Sequence, residues 1–252
     1  MEHIREHRSL LADAERRLLI AIARRLPPWI NSDHLTLVGL LSMPLAAVAF
    51  ANIPAAPWSA AAFVLALAAN WLGDSLDGTL ARVRNQQRPR YGYYVDHVID
   101  LVGTAALFAG VAVSGLMHPS IAIAVVAAYL LVAAESYLTT HTAGVFRVSF
   151  AGFGPTELRI LLAVGAIVVA NKPWVDVAGQ HARLFDVGGL VAIAGMIVAF
   201  GVSAIRNTRA LYLAEPLPSS NTESTQRTQR TPRTERQNPR VTDPESRVPL
   251  CP

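Results

Sequence analysis

Four aspartates carry most of the chemistry that this sequence could perform. Asp74 and Asp77 are three residues apart, and Asp96 and Asp100 are four apart. On helices each pair would share one face, and the short loop that joins the two helices predicts that they are direct antiparallel neighbours. Carboxylates gathered beside a membrane repel one another unless a counter-charge is present, and Mg²⁺ or Mn²⁺ suits carboxylate oxygens well. The spacing therefore predicts a site for two divalent metals, an arrangement suited to phosphoryl chemistry.

The residues of this segment have two possible interpretations. Solvated helix-end charges would explain any single aspartate, but four at these spacings favour the metal site. Gly78 and Ala81 lie on the face of Asp74 and would leave room for a ligand, although close helix packing also favours small residues. Arg82 is the one cation that this segment supplies.

These residues belong to a longer pattern, Asp74-x2-Asp77-Gly78-x2-Ala81-Arg82-x9-Gly92-x3-Asp96-x3-Asp100. The pattern resembles the signature of the CDP-alcohol phosphotransferase family, class-I type, which makes phospholipids. The commonest form of the signature has eight residues between the arginine and the second glycine, so this chain has one extra loop residue. The resemblance extends over about residues 30–210 through the six-helix layout described below.

The resemblance implies a function and a role for each matched position. A CDP-linked donor would transfer a phosphatidyl or phospho-headgroup to a hydroxyl acceptor, and CMP would leave. Asp74, Asp77 and Asp96 match metal ligands, and Asp100 matches a general base that also counts among the ligands. The remaining matched positions form the family's CDP pocket, in which the arginine faces the diphosphate: Gly78, Ala81, Arg82 and Gly92.

Shorter segments bear on the substrates. Residues 96–100 and 154–157 are similar to segments of choline and ethanolamine phosphotransferases, whose acceptor is diacylglycerol. The resemblance implies CDP-diacylglycerol or a CDP-amino alcohol as the donor, and a polar alcohol or diacylglycerol as the acceptor. His97 could assist proton transfer or position a phosphate, or be structural. Residues 32–36 resemble the family's loop there, which implies a cytidine contact for Thr36; the alternative is a helix N-cap by Ser32 or Asp33.

Three further charged residues keep alternatives open. Glu135 lies within an apolar segment, where a carboxylate is costly, and it would either reach the site or pair with a polar neighbour. Glu157 and Arg159 open another segment and would meet the headgroup, pair with each other, or extend toward the membrane surface.

The elements that must position these residues form an all-α polytopic membrane protein. Hydrophobic residues make up 52% of the 252 residues, and they cluster in runs near the length that crosses a bilayer. An amphipathic helix is predicted at residues 3–26, within a juxtamembrane region 1–30. A transmembrane domain at 31–212 and a disordered tail at 213–252 follow. Six spans are predicted at about 35–53, 58–83, 93–117, 119–140, 156–171 and 185–206.

The distribution of arginine indicates the topology. The predicted loop near 84–91 carries Arg84, Arg88 and Arg90, whereas the connections near 54–57 and 117–119 carry no Lys or Arg. The positive-inside rule then predicts that both ends and the aspartates lie on the cytoplasmic side. The expected location is a bacterial-type inner membrane. In so apolar a chain, a net charge of +4 indicates contacts with anionic lipid rather than nucleic acid. The family implies a homodimer.

Two other protein classes share some of these features. An intramembrane prenyltransferase is also helical and rich in aspartate, and it uses Mg²⁺ to bridge a diphosphate, but its motifs lie on more distant helices. A transporter or other non-catalytic cation-binding protein would more often have broken helices at the membrane midplane. Here the carboxylates cluster at one boundary, which favours the transferase.

Overall fold

The computed structural model describes residues 4–6, 12–143, 145–147, 155–215 and 217. This part of the chain is helical apart from two short pairs of strands. The helices are α1 (Ala12–Arg25), α2 (Ser32–Ala51), α3 (Ser59–Val83), α4 (Pro89–Val113), α5 (Pro119–Ala143), α6 (Pro155–Asn171) and α7 (Leu184–Ala214). Strand β1 (Ile4–Glu6) pairs in parallel with β2 (Val145–Arg147), and β3 (Trp174–Val177) pairs antiparallel with β4 (Gln180–Arg183).

The helices agree with the predicted apolar segments in number and approximate position. Among the described residues, five helices are long and apolar enough to cross a membrane: α2, α3, α4, α5 and α7. The sixth, α6, has 17 residues. At 1.5 Å per residue it is roughly 25 Å long, slightly less than a bilayer core of about 30 Å. The chain is therefore an integral membrane protein, and the count of six spans stays a prediction.

Helix α2 lies at the centre of the helix packing. Its most extensive contacts are with α3 and α4. A Cβ on Gly73 would lie 2.6 Å from the backbone nitrogen of Gly39, so α2 and α3 cross where neither helix has a side chain. A Cβ on Gly110 would likewise collide with the backbone of Ala47, where α4 crosses α2. Small residues permit this close approach, as in other membrane helix pairs.

Two apolar clusters hold the helices together. The larger one surrounds the end of α2 and includes Phe50, whose ring meets the edges of Phe63 and Phe185 at centroid distances of 5.1 and 4.8 Å. The smaller one lies at the start of α2, where α1 packs on α3: Leu19, Ala23, Leu35, Leu76 and Leu80. The second cluster borders the aspartates, so α1 helps to form that end of the protein.

The structure corrects two predictions about the elements and adds a hairpin that was not predicted. Residues 4–6 form a strand, and the first helix begins at Ala12 rather than at residue 3. We expected α3 and α4 to be direct antiparallel neighbours because their loop is short, but α2 packs against both, and their mutual contact is slight. The connection after α6 contains the β3–β4 hairpin, whose turn has Ala178 and Gly179 at φ values of 52° and 80°. Such a two-residue turn matches the twist of a hairpin.

The C-terminal region divides from the rest of the chain. The chain divides into two units, Met1–Leu211 and Tyr212–Pro252. The second contains the end of α7. The tail predicted to be disordered lies almost wholly outside the described residues, and the predicted boundaries at 30/31 and 212/213 stay predictions.

Candidate active site

One narrow cleft brings the four aspartates together. Residues of α2, α3 and α4 line it: Thr36, Gly39, Asn70, Asp74, Asp77, Asp96, Ile99 and Asp100. The cavity volume is about 10 Å³, roughly the room that one water molecule requires. A space of this size is too small to enclose a nucleotide.

Asp77 is the most enclosed of the four carboxylates, with 7% of the residue exposed. Thr36 on α2 donates a hydrogen bond from Oγ1 to Asp77 Oδ2 at 2.6 Å, and the Gly78 amide donates to Oδ1. Ser32 Oγ donates to the Asp77 carbonyl oxygen at 2.7 Å. The start of α2 therefore fixes both the backbone and the carboxylate of Asp77. The hydroxyl of Thr36 faces this carboxylate, and its predicted cytidine contact stays a prediction.

Asp74 has a counter-charge that lies far from it in the sequence. Arg159 Nη2 on α6 lies 2.7 Å from Asp74 Oδ2, and Arg159 Nε donates to Asn70 Oδ1 at 2.9 Å. Asn70 in turn donates to the Gly39 carbonyl oxygen at 3.0 Å. We had expected Arg159 to meet a headgroup, pair with Glu157 or reach the membrane surface. An arginine inside an apolar helix was the available signal, because such a charge usually has a specific partner.

The two aspartates of α4 are more accessible. Asp96 is half-buried, and Asp100 is exposed. Tyr129 on α5 interacts electrostatically with Asp100 and shares a hydrogen bond with Thr104. The cleft thus has an enclosed side at Asp77 and an open side at Asp100.

His97 packs against aromatic rings beside the cleft. Its Nδ1 lies 2.6 Å from the carbonyl oxygen of Tyr93, and because a carbonyl only accepts, Nδ1 carries the proton. The imidazole stacks on Tyr93 at 4.1 Å and meets the edge of Tyr137 on α5 at 4.9 Å. His97 does not line the cleft with the aspartates, so its catalytic role stays a prediction.

The predicted CDP-pocket residues lie at the ends of α3 and α4. A Cβ at Gly92 would meet no atom within 4 Å, and one at Gly78 would meet only Arg82, at 3.5 Å. Ala81 is half-buried and Arg82 is exposed, with Nη2 donating to Thr79 Oγ1 at 3.0 Å. Open space beside both glycines is compatible with the approach of a ligand, and the nucleotide contacts stay predictions.

The donor set agrees with the chemistry of a divalent metal site. Carboxylate oxygens, together with the hydroxyl of Thr36 and the amide oxygen of Asn70, are the atoms that Mg²⁺ and Mn²⁺ prefer. Among the described residues, however, no three His, Cys, Asp or Glu side chains are already arranged around one ion position. The side chains fit the expected metals in type, and the two-metal prediction is not tested by this arrangement.

Contacts resolve the alternatives for Glu135 and correct the predicted N-cap of α2. Glu135 Oε1 accepts hydrogen bonds from Thr139, Ser203 and Asn207 at 2.8, 2.9 and 2.7 Å, so this carboxylate joins α5 to α7. The N-cap of α2 is Asn31, rather than Ser32 or Asp33. Its side chain accepts from the His34 amide, while His34 Nδ1 accepts from the Asn31 amide.

Comparison with known proteins then identifies the family. The sequence model described as CDP-alcohol phosphatidyltransferase matches residues 29–205. The chain belongs to the CDP-alcohol phosphatidyltransferase family. Its fold is similar to the crystal structure of Mycobacterium tuberculosis phosphatidylinositol phosphate synthase with CDP-DAG bound, with a TM-score of 0.55 and 19% sequence identity. The alignment covers 78% of this chain and 94% of that one. No curated protein matches its sequence.

Family membership confirms the enzyme class predicted from the aspartate pattern. This CDP-alcohol phosphatidyltransferase is a membrane transferase of substituted phosphate groups, and it acts in phospholipid synthesis. The assignment decides against the prenyltransferase and the transporter. The signature and the cleft coincide, because every signature aspartate lines the cleft.

Proposed function

We propose that this enzyme transfers a phospho-alcohol group from a CDP-linked donor to a hydroxyl acceptor and releases CMP. The observation that supports this proposal best is the cleft itself, which gathers Asp74, Asp77, Asp96 and Asp100 from two helices and differs in exposure from side to side. CDP-diacylglycerol is the first donor to test, since the structurally similar synthase was crystallised with CDP-DAG. A CDP-amino alcohol with diacylglycerol as acceptor is the alternative.

Asp100 is the proposed general base. Because it is exposed at the open side of the cleft, an acceptor hydroxyl is able to reach its carboxylate. Asp100 takes the hydroxyl proton as the acceptor oxygen bonds to the donor phosphorus. The bond from that phosphorus to the bridging oxygen of the diphosphate breaks, and CMP leaves with the electron pair. His97, one helical turn from the base, is proposed to assist positioning of the phosphate.

The other residues bind and orient the donor. Asp74, Asp77 and Asp96, with Asp100, are proposed to hold two Mg²⁺ or Mn²⁺ ions. When bound, such ions neutralise charge on the diphosphate and on the leaving group. Gly78, Ala81, Arg82 and Gly92 are proposed to form the CDP pocket at the rim, with Arg82 toward the diphosphate and Thr36 toward cytidine. The site is proposed to face the cytoplasm from a bacterial inner membrane, where cytidine nucleotides are present.

The deciding experiment measures CMP release by the purified protein in lipid nanodiscs. Each CDP-linked donor is combined with a panel of polar alcohols and diacylglycerol. We expect one combination to release CMP, EDTA to stop it, and added Mg²⁺ or Mn²⁺ to restore it. Asp100→Asn should lower kcat at least about 100-fold, the usual contribution of a general base.

The matched control is Asp176→Asn, which changes an exposed aspartate in the β3–β4 hairpin and should leave the rate unchanged. Failure of every donor and acceptor to yield CMP would contradict the proposal. Full activity in the Asp100→Asn variant would remove Asp100 as the base.

A further inference from the structure

Glu15 on α1 is a carboxylate that the proposed reaction does not use. Its Oε1 accepts hydrogen bonds from Trp71 Nε1 at 2.8 Å and Ser75 Oγ at 3.3 Å, both on α3. Thr156 Oγ1, in the first turn of α6, lies 3.2 Å from each carboxylate oxygen of Glu15. One side chain of α1 therefore connects α3 to α6.

The Glu15 contacts lie next to the Arg159 contacts along both helices. Trp71 and Ser75 each immediately follow a residue of α3 that Arg159 contacts. Thr156 precedes Arg159 by three residues, so both lie on one face of α6. Two neighbouring polar layers thus join α3 to α6. Arg159 forms one directly, and Glu15 forms the other by bridging the two helices.

Helix α1 is held on α3 by apolar packing and by hydrogen bonds, which keep Glu15 in position. Leu19 and Ala23 are buried against α3 in the smaller apolar cluster. At the end of the helix, Arg84 donates to the carbonyl oxygens of Leu26 and Pro27, at 3.1 and 3.0 Å, and also to that of Ile30. Apolar packing and these backbone contacts together hold α1 on α3.

We propose that Glu15 is a positioning residue, which sets the spacing of α3 and α6 and thereby holds Arg159 against Asp74. The inference rests on the proposed function only in that Asp74 belongs to the catalytic cleft. A carboxylate has two acceptor oxygens, so it is able to accept from both helices at once. Glutamine keeps one acceptor and adds a donor that a threonine hydroxyl accepts, whereas alanine removes the bridge.

The first measurement is CMP release as a function of donor concentration. A displacement of about 1 Å at a catalytic site lowers rates by up to about 100-fold, so we expect Glu15→Ala to lower kcat/KM about 10- to 100-fold. Glu15→Gln should restore most of the activity. Arg16→Ala is the matched control, because this exposed arginine is the next residue of the same helix.

The second measurement reports the helix spacing without any catalysis. Spin labels at Leu72→Cys on α3 and Leu158→Cys on α6, both exposed, are placed in a Cys251→Ser protein that lacks other cysteines. Double electron–electron resonance should give a shifted or broader distance distribution between the two labels for Glu15→Ala. The distribution should be unchanged for Glu15→Gln and Arg16→Ala. Thr156→Val removes only the α6 donor and provides the same test if Glu15→Ala fails to fold.

The two measurements separate the possible failures. Lost activity with an unchanged distance distribution would overturn the positioning role, as would wild-type activity together with a wild-type distribution. If the wild-type protein releases no CMP, the proposed function fails. The spin-label distances then decide the positioning alone: a shift supports it, and no shift overturns it.

Discussion

At the scale of single residues, the cleft depends on hydrogen bonds that hold its carboxylates in place. Asp77 is oriented from α2 by Thr36 and from its own helix by the Gly78 amide. Asp74 is oriented by Arg159, which itself contacts Asn70. In metal sites generally, loss of a group that orients a ligand lowers metal affinity or activity by about 10- to 100-fold. Thr36 and Arg159 should therefore affect activity strongly, although neither belongs to the signature.

Thr36→Val tests this contribution at one hydroxyl. Valine has nearly the same shape but cannot donate to Asp77, so we expect the Mg²⁺ concentration that gives half-maximal CMP release to rise about 10- to 100-fold. The control is Thr140→Val, because Thr140 is buried and donates to the Ser136 carbonyl of its own helix. An unchanged Mg²⁺ dependence in the Thr36 variant would contradict the orienting role.

At the scale of elements, α2 determines how the aspartates meet. The pairs lie on α3 and α4, whose mutual contact is slight, and both helices pack on α2. The crossing at Gly39 and Gly73 brings α2 close enough for Thr36 to reach Asp77. Gly73, the α3 residue at this crossing, immediately precedes Asp74. Close helix contact and the geometry of the site are thus linked.

Gly73→Ala tests that link. The added methyl group would lie 2.6 Å from backbone atoms of α2, which cannot move without displacing the helix. We expect a loss of about 1 to 3 kcal/mol in stability, seen as a lower Tm, together with loss of CMP release. Gly195→Ala on α7 is the control, since its Cβ would meet no atom within 4 Å. Equal Tm values for the Gly73 variant and the wild type would show that the crossing tolerates a side chain.

At the scale of the whole molecule, the membrane topology depends on whether α6 crosses the bilayer. It has 17 residues, and its start carries Arg159 at the aspartate cleft. If it crosses, the α3–α4 loop and the β3–β4 hairpin lie on opposite sides, because α4, α5 and α6 make three crossings between them. If it does not, both lie on the same side.

Cysteine labelling distinguishes these topologies. Gln86→Cys in the loop and Gln180→Cys in the hairpin, both exposed, are made separately in the Cys251→Ser protein. In right-side-out vesicles, a membrane-impermeant maleimide should label only the hairpin cysteine, and in inverted vesicles only the loop cysteine. Detergent-treated vesicles, in which both sites react, provide the control. Labelling of both from one side would contradict six spans.

The sequence by itself determined the features that depend on local spacing. Residues Asp74, Asp77, Asp96 and Asp100 form one signature within 27 consecutive positions, and all four line the same cleft. Hydropathy located five of the six predicted spans to within four residues at each end, because an apolar run of sufficient length must be helical in a membrane, whereas α7 continues eight residues beyond its predicted end at 206. Short strands were not predicted from hydropathy. The β3–β4 hairpin was missed, since its strands have four residues each and lack a clear alternation.

Only the tertiary structure decided which distant residues meet. Thr36 contacts Asp77 across 41 positions, Arg159 contacts Asp74 across 85, and Glu15 contacts Thr156 across 141. Such pairs depend on which helices pack together, and a short α3–α4 loop favoured the wrong neighbours. The backbone approach permitted by Gly39 and Gly73 placed α2 between them. Local periodicity describes the faces of each helix, but the packing of those faces depends on the shapes of all helices at once.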